Sequence, residues 1–168
     1  MNRGELLEGN RNDTDIPNDS PGVIMFPPAL YLGTLLIGLL LHLVRPIHLE
    51  PALWARFAGV AIFACGASLA TWGRRTMVRG GTNVLPSQPA LAIVTGGPFR
   101  FTRNPLYLGA TLGYLGLTLL FNTAWPLVLF APMIAVVYHG IIRREERYLE
   151  AKFGAVYLDY KTRVRRWL

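Results

Sequence analysis

Four apolar runs, each close to the length that an α-helix needs to cross a bilayer, place the strongest constraint on how this chain can fold. About 20 apolar residues in a helix cover the roughly 30 Å of hydrocarbon in a membrane, and the helix satisfies its backbone polar groups internally. The runs read Phe26 to Val44, Leu53 to Trp72, Leu106 to Phe121 and Ala124 to Ile142. They predict an all-α integral membrane protein with about four transmembrane helices. Only Asn122 and Thr123 separate the last two runs, which predicts an antiparallel helical hairpin. Pro126 suits a helix start, whereas Pro132 removes an interior hydrogen bond and should kink or loosen its helix.

The chain is 52% hydrophobic and 16% charged, with a formal net charge of +7. Excess positive charge can serve nucleic acid, but spanning-length apolar runs through half a chain do not, so no nucleic-acid partner is expected. With four spans, both termini and the segment 73–105 share one side. That side carries all but Arg45 and Arg56 of the 17 lysines and arginines. The positive-inside rule therefore places both termini in the cytoplasm, with the protein integral to the cell (inner) membrane.

Residues 1–22 are polar and acidic and are expected to be a disordered tail rather than a secretory signal, leaving residues 23–168 as one membrane-embedded domain. The tail from Arg143 onward alternates charged and apolar residues. Tyr148, Leu149, Phe153, Val156, Tyr157 and Tyr160 can share one broad helix face lying along the interface, with Trp167 as an aromatic anchor. The lone Cys65 is expected to be a packing residue. His42, His48 and His139 are given no role, and no His, Cys and carboxylate cluster has metal-ligand spacing, so no metal is expected. Gly109-x-x-x-Gly113, with Gly116, offers a small-residue face for close helix packing.

Two charged constellations remain. The segment from Gly73 to Pro105 holds Arg74, Arg75, Arg79, Arg100 and Arg103 and no acid, and its end, Val94-Thr-Gly-Gly-Pro-Phe-Arg-Phe-Thr-Arg-Asn-Pro-Leu-Tyr107, leads into the third run. Glycines and prolines constrain this backbone, while aromatics and arginines offer stacking surface and anion-binding donors. The simpler alternative is a basic turn anchored to anionic headgroups. The second constellation, Arg143-Arg144-Glu145-Glu146-Arg147, comes directly after the fourth run and reaches the first constellation if the hairpin closes. Its alternative is a salt-bridged helix face, Arg143 to Glu146 and Arg147 to Glu150. Together the two supply an acid, hydrogen-bond donors, an aromatic slot and a fixed backbone. S-adenosyl-L-methionine requires that set, and a nucleotide would satisfy much of it.

The Thr95-to-Tyr107 motif, the hairpin, Glu145-Glu146, Phe153-Gly154 and Tyr157-x-x-Tyr160, in that order, resemble the isoprenylcysteine carboxyl methyltransferase family. The likeness is to its compact prokaryotic branch, which is similar also to phospholipid N-methyltransferases. The resemblance covers the chain from about Gly80. It implies an S-adenosylmethionine-dependent methyltransferase acting at the cytoplasmic membrane interface on a lipophilic or lipid acceptor. Leu91, Ala92, Ile93 and Val94, with Phe99, Asn104, Pro105, Leu106 and Tyr107, would line the cofactor, and Glu145 with Glu146 would hold its polar end. Arg143 or Arg144 would orient the acceptor. Leu91 and Asn104 stand where eukaryotic members usually have histidines, and Phe99 where they have a tyrosine. A phospholipid N-methyltransferase, an NADPH-dependent membrane reductase and a non-enzymatic interaction protein are the alternatives.

Overall fold

The computed structural model describes residues 19–49 and 53–167, so of the tail expected to be disordered, residues 1–22, all but the last four lie outside the described residues. All the regular secondary structure among the described residues is helical, without a strand. α1 (Pro27–Val44) opens on two prolines, whose missing N–H falls where the first turn has no helical acceptor to use it. α2 spans Leu53–Arg79, α3 Pro105–Leu120, α4 Trp125–Val136, α5 Arg143–Phe153 and α6 Ala155–Arg163. Among the described residues, three stretches are long and apolar enough to cross a membrane: α1, α2 and the continuous rod Trp125–Phe153, while α3 is a shorter apolar helix of 16 residues. Only 22% of the apolar window of α1 and 17% of that of α2 is covered by protein, which leaves Leu36, Leu40, Phe57 and Phe63 turned outward. Such continuous apolar faces match a lipid solvent.

α2 runs on past Trp72 to Arg79, so Arg74, Arg75 and Arg79 stand on an exposed helix end rather than in the expected loop. Its partner is α3, and the seam between them is made of glycine. A Cβ on Gly66 would lie 2.5 Å from the Gly109 carbonyl oxygen, and one on Gly116 would lie 2.5 Å from the Phe63 backbone nitrogen. Gly59 is held as closely, its Cβ position 2.7 Å from the Gly116 oxygen. The expected small-residue face is thus carried chiefly by Gly109 and Gly116; the Gly113 backbone nitrogen also abuts Gly66, at 2.7 Å from its Cβ position, but a Cβ on Gly113 itself would meet only a Phe63 ring carbon at 3.9 Å. Cys65 points outward from α2 instead of packing inside.

α3 and α4 are joined by the expected turn, with Asn122 at φ 51° and the Thr123 N–H donating to the Thr118 carbonyl at 3.3 Å. α4 nevertheless leans chiefly on α1, where Gly38 meets the ring of Pro126. The Tyr114 hydroxyl reaches across from α3 to the Pro126 carbonyl at 2.8 Å. Tyr31, Leu35, Tyr114, Met133, Val137 and Ile142 form the core between these helices. The rod stays α-helical through Pro132 and widens just beyond it into a π-helical turn, Val137–Ile142. Such turns are rare, and the residue added to the turn shifts the angular register of the helix beyond it.

The tail departs from the single interfacial helix read from its pattern. Gly154, at φ 52° and ψ −126°, ends α5 and turns the chain back as α6. Leu149, Phe153, Tyr157 and Tyr160 pack with Phe99, whereas Val156 is exposed. Trp167 lies against the core cluster containing Val137 and Ile142 rather than standing free as an anchor. The pattern marks the apolar residues correctly but not the glycine reversal that changes what they face.

Candidate functional site

The segment between α2 and α3 is shaped by side-chain hydrogen bonds to its own backbone. Buried Thr82 accepts from the Leu91 and Ala92 N–H groups at 3.0 and 3.4 Å. Gly97, at φ 58°, opens the single 3₁₀ turn Gly97–Arg100, and a Cβ there would meet Thr76 Oγ1 at 2.8 Å. Phe99 is buried by that turn, and its carbonyl accepts from the Tyr160 hydroxyl at 2.8 Å. Burial pushes the Tyr160 hydroxyl up to about 12, so it remains a donor.

The chain end closes over this segment. The Arg103 N–H donates to the Arg165 carbonyl at 3.0 Å, and the Thr102 hydroxyl and Asn104 side-chain amide both donate to the Arg166 carbonyl at 3.0 Å. Residues 19–26 close the other side: the Arg144 guanidinium donates to the Gly22 carbonyl at 2.9 Å, and the Tyr148 hydroxyl donates to Asp19 at 2.7 Å. Hydrogen bonds from Lys152, then Tyr148, hold the Asp19 carboxyl below its ordinary value.

Between these layers lies a cavity of about 280 Å³ at one end of the helices. Its walls are mostly apolar: Phe26, Pro27, Tyr31, Met77, Phe99 and Leu149 contribute. Glu145 lines it from the start of α5, accepting from the Tyr107 hydroxyl at 2.8 Å. Tyr31 supports the base of that pair, its hydroxyl 2.9 Å from Thr111 Oγ1. Glu146 lies beside it, 5% exposed, gripped by Arg166 at 3.0 and 2.7 Å and by Arg103 at 3.2 Å. Arg166 also donates to the Tyr138 hydroxyl at 2.8 Å, and its hydrogen bond to Glu146 raises it further above its ordinary value.

Of the residues expected from the sequence, Ala92, Ile93, Val94, Phe99, Asn104, Pro105, Leu106, Tyr107, Glu145 and Glu146 all line this one cavity. Leu91 does not; its side chain faces outward, 60% exposed. Arg143 and Arg144 are also outside it, exposed on α5, with Arg144 engaged by Gly22. The intrahelical pairs Arg143–Glu146 and Arg147–Glu150 are replaced by longer-range ones. Glu146 takes Arg103 and Arg166, and Glu150 takes Lys161. The reversal at Gly154 brings those partners within reach. Among the described residues no group of three or more His, Cys, Asp or Glu side chains could hold a metal.

Sequence reasoning missed Arg166, Tyr31, Thr82 and Tyr148. Arg166 carries no signal, being one of several basic residues near the chain end. Tyr31 carries one, since a hydroxyl inside an apolar run needs a buried partner. Chemically, the cavity offers one carboxylate, unspent guanidinium donors, fixed backbone and an apolar aromatic-lined slot.

A family model for phospholipid methyltransferases matches residues 54–156. The cobalt-zinc-cadmium resistance protein CzcN of Cupriavidus metallidurans is 34% identical over 88 residues, 52% of this chain and 39% of that protein. An uncharacterized protein of Haemophilus influenzae is 41% identical over 63 residues, 38% of this chain and 79% of that one. Protein-S-isoprenylcysteine O-methyltransferase of Saccharomyces cerevisiae is 35% identical over 72 residues, 43% of this chain and 30% of the yeast protein. The chain therefore spans well under half the length of the cobalt-zinc-cadmium resistance and yeast relatives. No solved structure matches it. The family match runs from the start of α2 into α6 and takes in the glycine seam, the loop, the hairpin and both glutamates. By that match the chain, an all-helical membrane protein, belongs to the phospholipid methyltransferase family.

Proposed function

We propose that this protein transfers a methyl group from S-adenosyl-L-methionine to a lipophilic acceptor at the cytoplasmic face of the cell membrane. The observation that carries the reading is a cavity at the helix ends joining Glu145, Tyr107, Phe99 and Arg103 to apolar walls. The match to the family and to the yeast methyltransferase supports the chemistry.

The residues present fit this donor. Buried Arg103 Nε and Nη1 have no hydrogen-bond partner and suit an anionic group. Glu145, whose one bond comes from Tyr107, has acceptor capacity left for an ammonium or ribose hydroxyls. Ala92, Ile93, Val94 and Phe99 provide the apolar and aromatic slot for an adenine ring. When bound, the donor supplies an electrophilic methyl on a sulfonium. The protein's part is to align the acceptor with that methyl and to exclude water, and no residue needs to become covalently attached. A carboxylate acceptor needs no base. The family description favours a phospholipid as a second class of acceptor, and a phospholipid amine would have to lose a proton before attack.

Acceptors of this kind enter from the bilayer, since the walls at Phe26, Pro27 and Tyr31 belong to the start of a spanning helix. The excess of lysine and arginine on the cavity's side supports its cytoplasmic placement. Calorimetric titration of the detergent-purified protein with S-adenosylhomocysteine, with NADPH as control, tests the reading. Saturable binding of the first alone is expected. Binding of NADPH alone would move the protein to the reductases, and binding of neither would remove the enzymatic reading.

A further inference from the structure

We infer that Arg103 is a carboxylate-binding subsite within the cavity, and that Arg166 positions it through Glu146. The inference rests on the methyl-transfer reading for the identity of the ligand, but its geometry stands apart from that reading.

Glu146 is spent. One oxygen accepts from Arg166 at 3.0 Å and lies 3.2 Å from Arg103 Nη2, while the other accepts from Arg166 at 2.7 Å. Its side chain is 7% exposed, so little solvent reaches what remains of its lone pairs. A ligand ammonium therefore has Glu145 to meet, and Glu146 serves the arginines.

Arg103 is not spent. Its side chain is 8% exposed and lines the cavity, yet only Nη2 has a partner; Nε and Nη1 are buried without one. Buried guanidinium donors left unpaired are costly, and in native structures such groups are matched by protein, by ordered water or by a bound anion. Charge points the same way. Two guanidinium groups share the single carboxylate of Glu146, which leaves one positive charge for an incoming anion. A carboxylate suits it, having one negative charge and planar acceptors that match guanidinium donors.

The chain end fixes this arrangement. The Arg165 carbonyl holds the Arg103 N–H, the Arg166 carbonyl holds the Thr102 and Asn104 side chains, and the Arg166 side chain holds Glu146 against Arg103. Arg166 is thus a positioning residue. The carboxylate has two sources, the amino-acid end of the methyl donor or the acceptor itself.

Calorimetry on the full chain distinguishes them. Arg103→Gln and Arg103→Lys are titrated with S-adenosylhomocysteine and with its decarboxylated analogue, S-adenosylthiopropylamine. They are then titrated with octanoate and octanol after saturation with S-adenosylhomocysteine. If the donor supplies the anion, Arg103→Gln weakens S-adenosylhomocysteine at least tenfold and leaves the decarboxylated analogue unchanged. If the acceptor supplies it, octanoate binding falls by that factor while octanol binding does not. Arg103→Lys, which keeps the charge on Glu146, shows the same selectivity at smaller size. Arg166→Gln reproduces the selectivity in the intermediate range. Equal effects on carboxylate and carboxylate-free probes, or no effect on any, would overturn the subsite. An unselective Arg166→Gln would overturn the positioning role. Failure of the unaltered protein to bind S-adenosylhomocysteine is a separate result, which sinks the methyl-transfer reading.

Discussion

The seam between α2 and α3 and the charged end around Glu146 solve opposite problems. In the seam, backbone meets backbone. Gly66 faces Gly109 and Gly59 faces Gly116 so closely that no Cβ fits. Lipid tails are as apolar as the helices, so burial supplies little drive for association there and close van der Waals contact must do it. At the charged end, long side chains from three distant parts of the chain converge: Arg103, Glu146 and Arg166. Contact there is specified by charge and hydrogen bonds, each of which needs its partner. The first region tolerates no added atom, and the second tolerates no removed one.

The comparison breaks first at the seam. Gly66→Leu should prevent α2 and α3 from closing and cost more than the roughly 3 kcal/mol usual for overpacking, because the obstructing atoms are backbone. Gly33→Leu, where nothing lies within 4 Å, should be close to neutral. Denaturant titration in detergent checks the pair, and equal destabilisation would show that the seam is not the tight contact.

Next comes removal of a charge. Glu146→Ala leaves Arg103 and Arg166 facing each other and should cost about 3 kcal/mol, as for other broken buried pairs. Glu150→Ala breaks the half-exposed pair with Lys161 and should cost less than about 1 kcal/mol. The same unfolding measurement would refute the buried network if the two variants matched.

Tyr107→Phe removes one hydrogen bond to Glu145 and should weaken S-adenosylhomocysteine by about tenfold, on the order of 1.4 kcal/mol, with smaller loss of stability. Calorimetry reads it, and unchanged affinity would detach Tyr107 from the ligand site. Smallest is the closure by Asp19. Its folded carboxyl titrates below its ordinary value, so its contribution is complete above about pH 4 and is lost as pH falls through the folded value. Amide exchange over residues 19–24 should quicken in that window and be pH-insensitive, beyond intrinsic exchange, in Asp19→Asn.

Much of the fold and part of the cavity lining are legible in the sequence because the relevant signals are local. Apolar length marks spanning helices, glycine spacing marks a close helix face, and the Thr95-to-Tyr107 motif marks a loop feeding a helix. Ten expected cavity residues lie together because most belong to two short contiguous segments and an adjacent acid pair. The arginines are misread when each is paired with its neighbours along the helix. Arg144 and Glu146 are close in sequence yet face different surroundings, Gly22 for one and Arg103 with Arg166 for the other.

What the sequence by itself determined is the solvent and the material: apolar runs that need lipid, glycines that permit helix contact, and basic residues gathered outside those runs. Periodicity and composition are sums over neighbours, and those properties are sums of that kind. Only the tertiary structure decided that α4 leans on α1, that Gly154 returns the chain end to the loop, and that Arg103 is left with two unpaired donors inside the cavity. Those depend on which distant groups meet, and a hydrogen bond is satisfied or missing only once its partner's position in space is known.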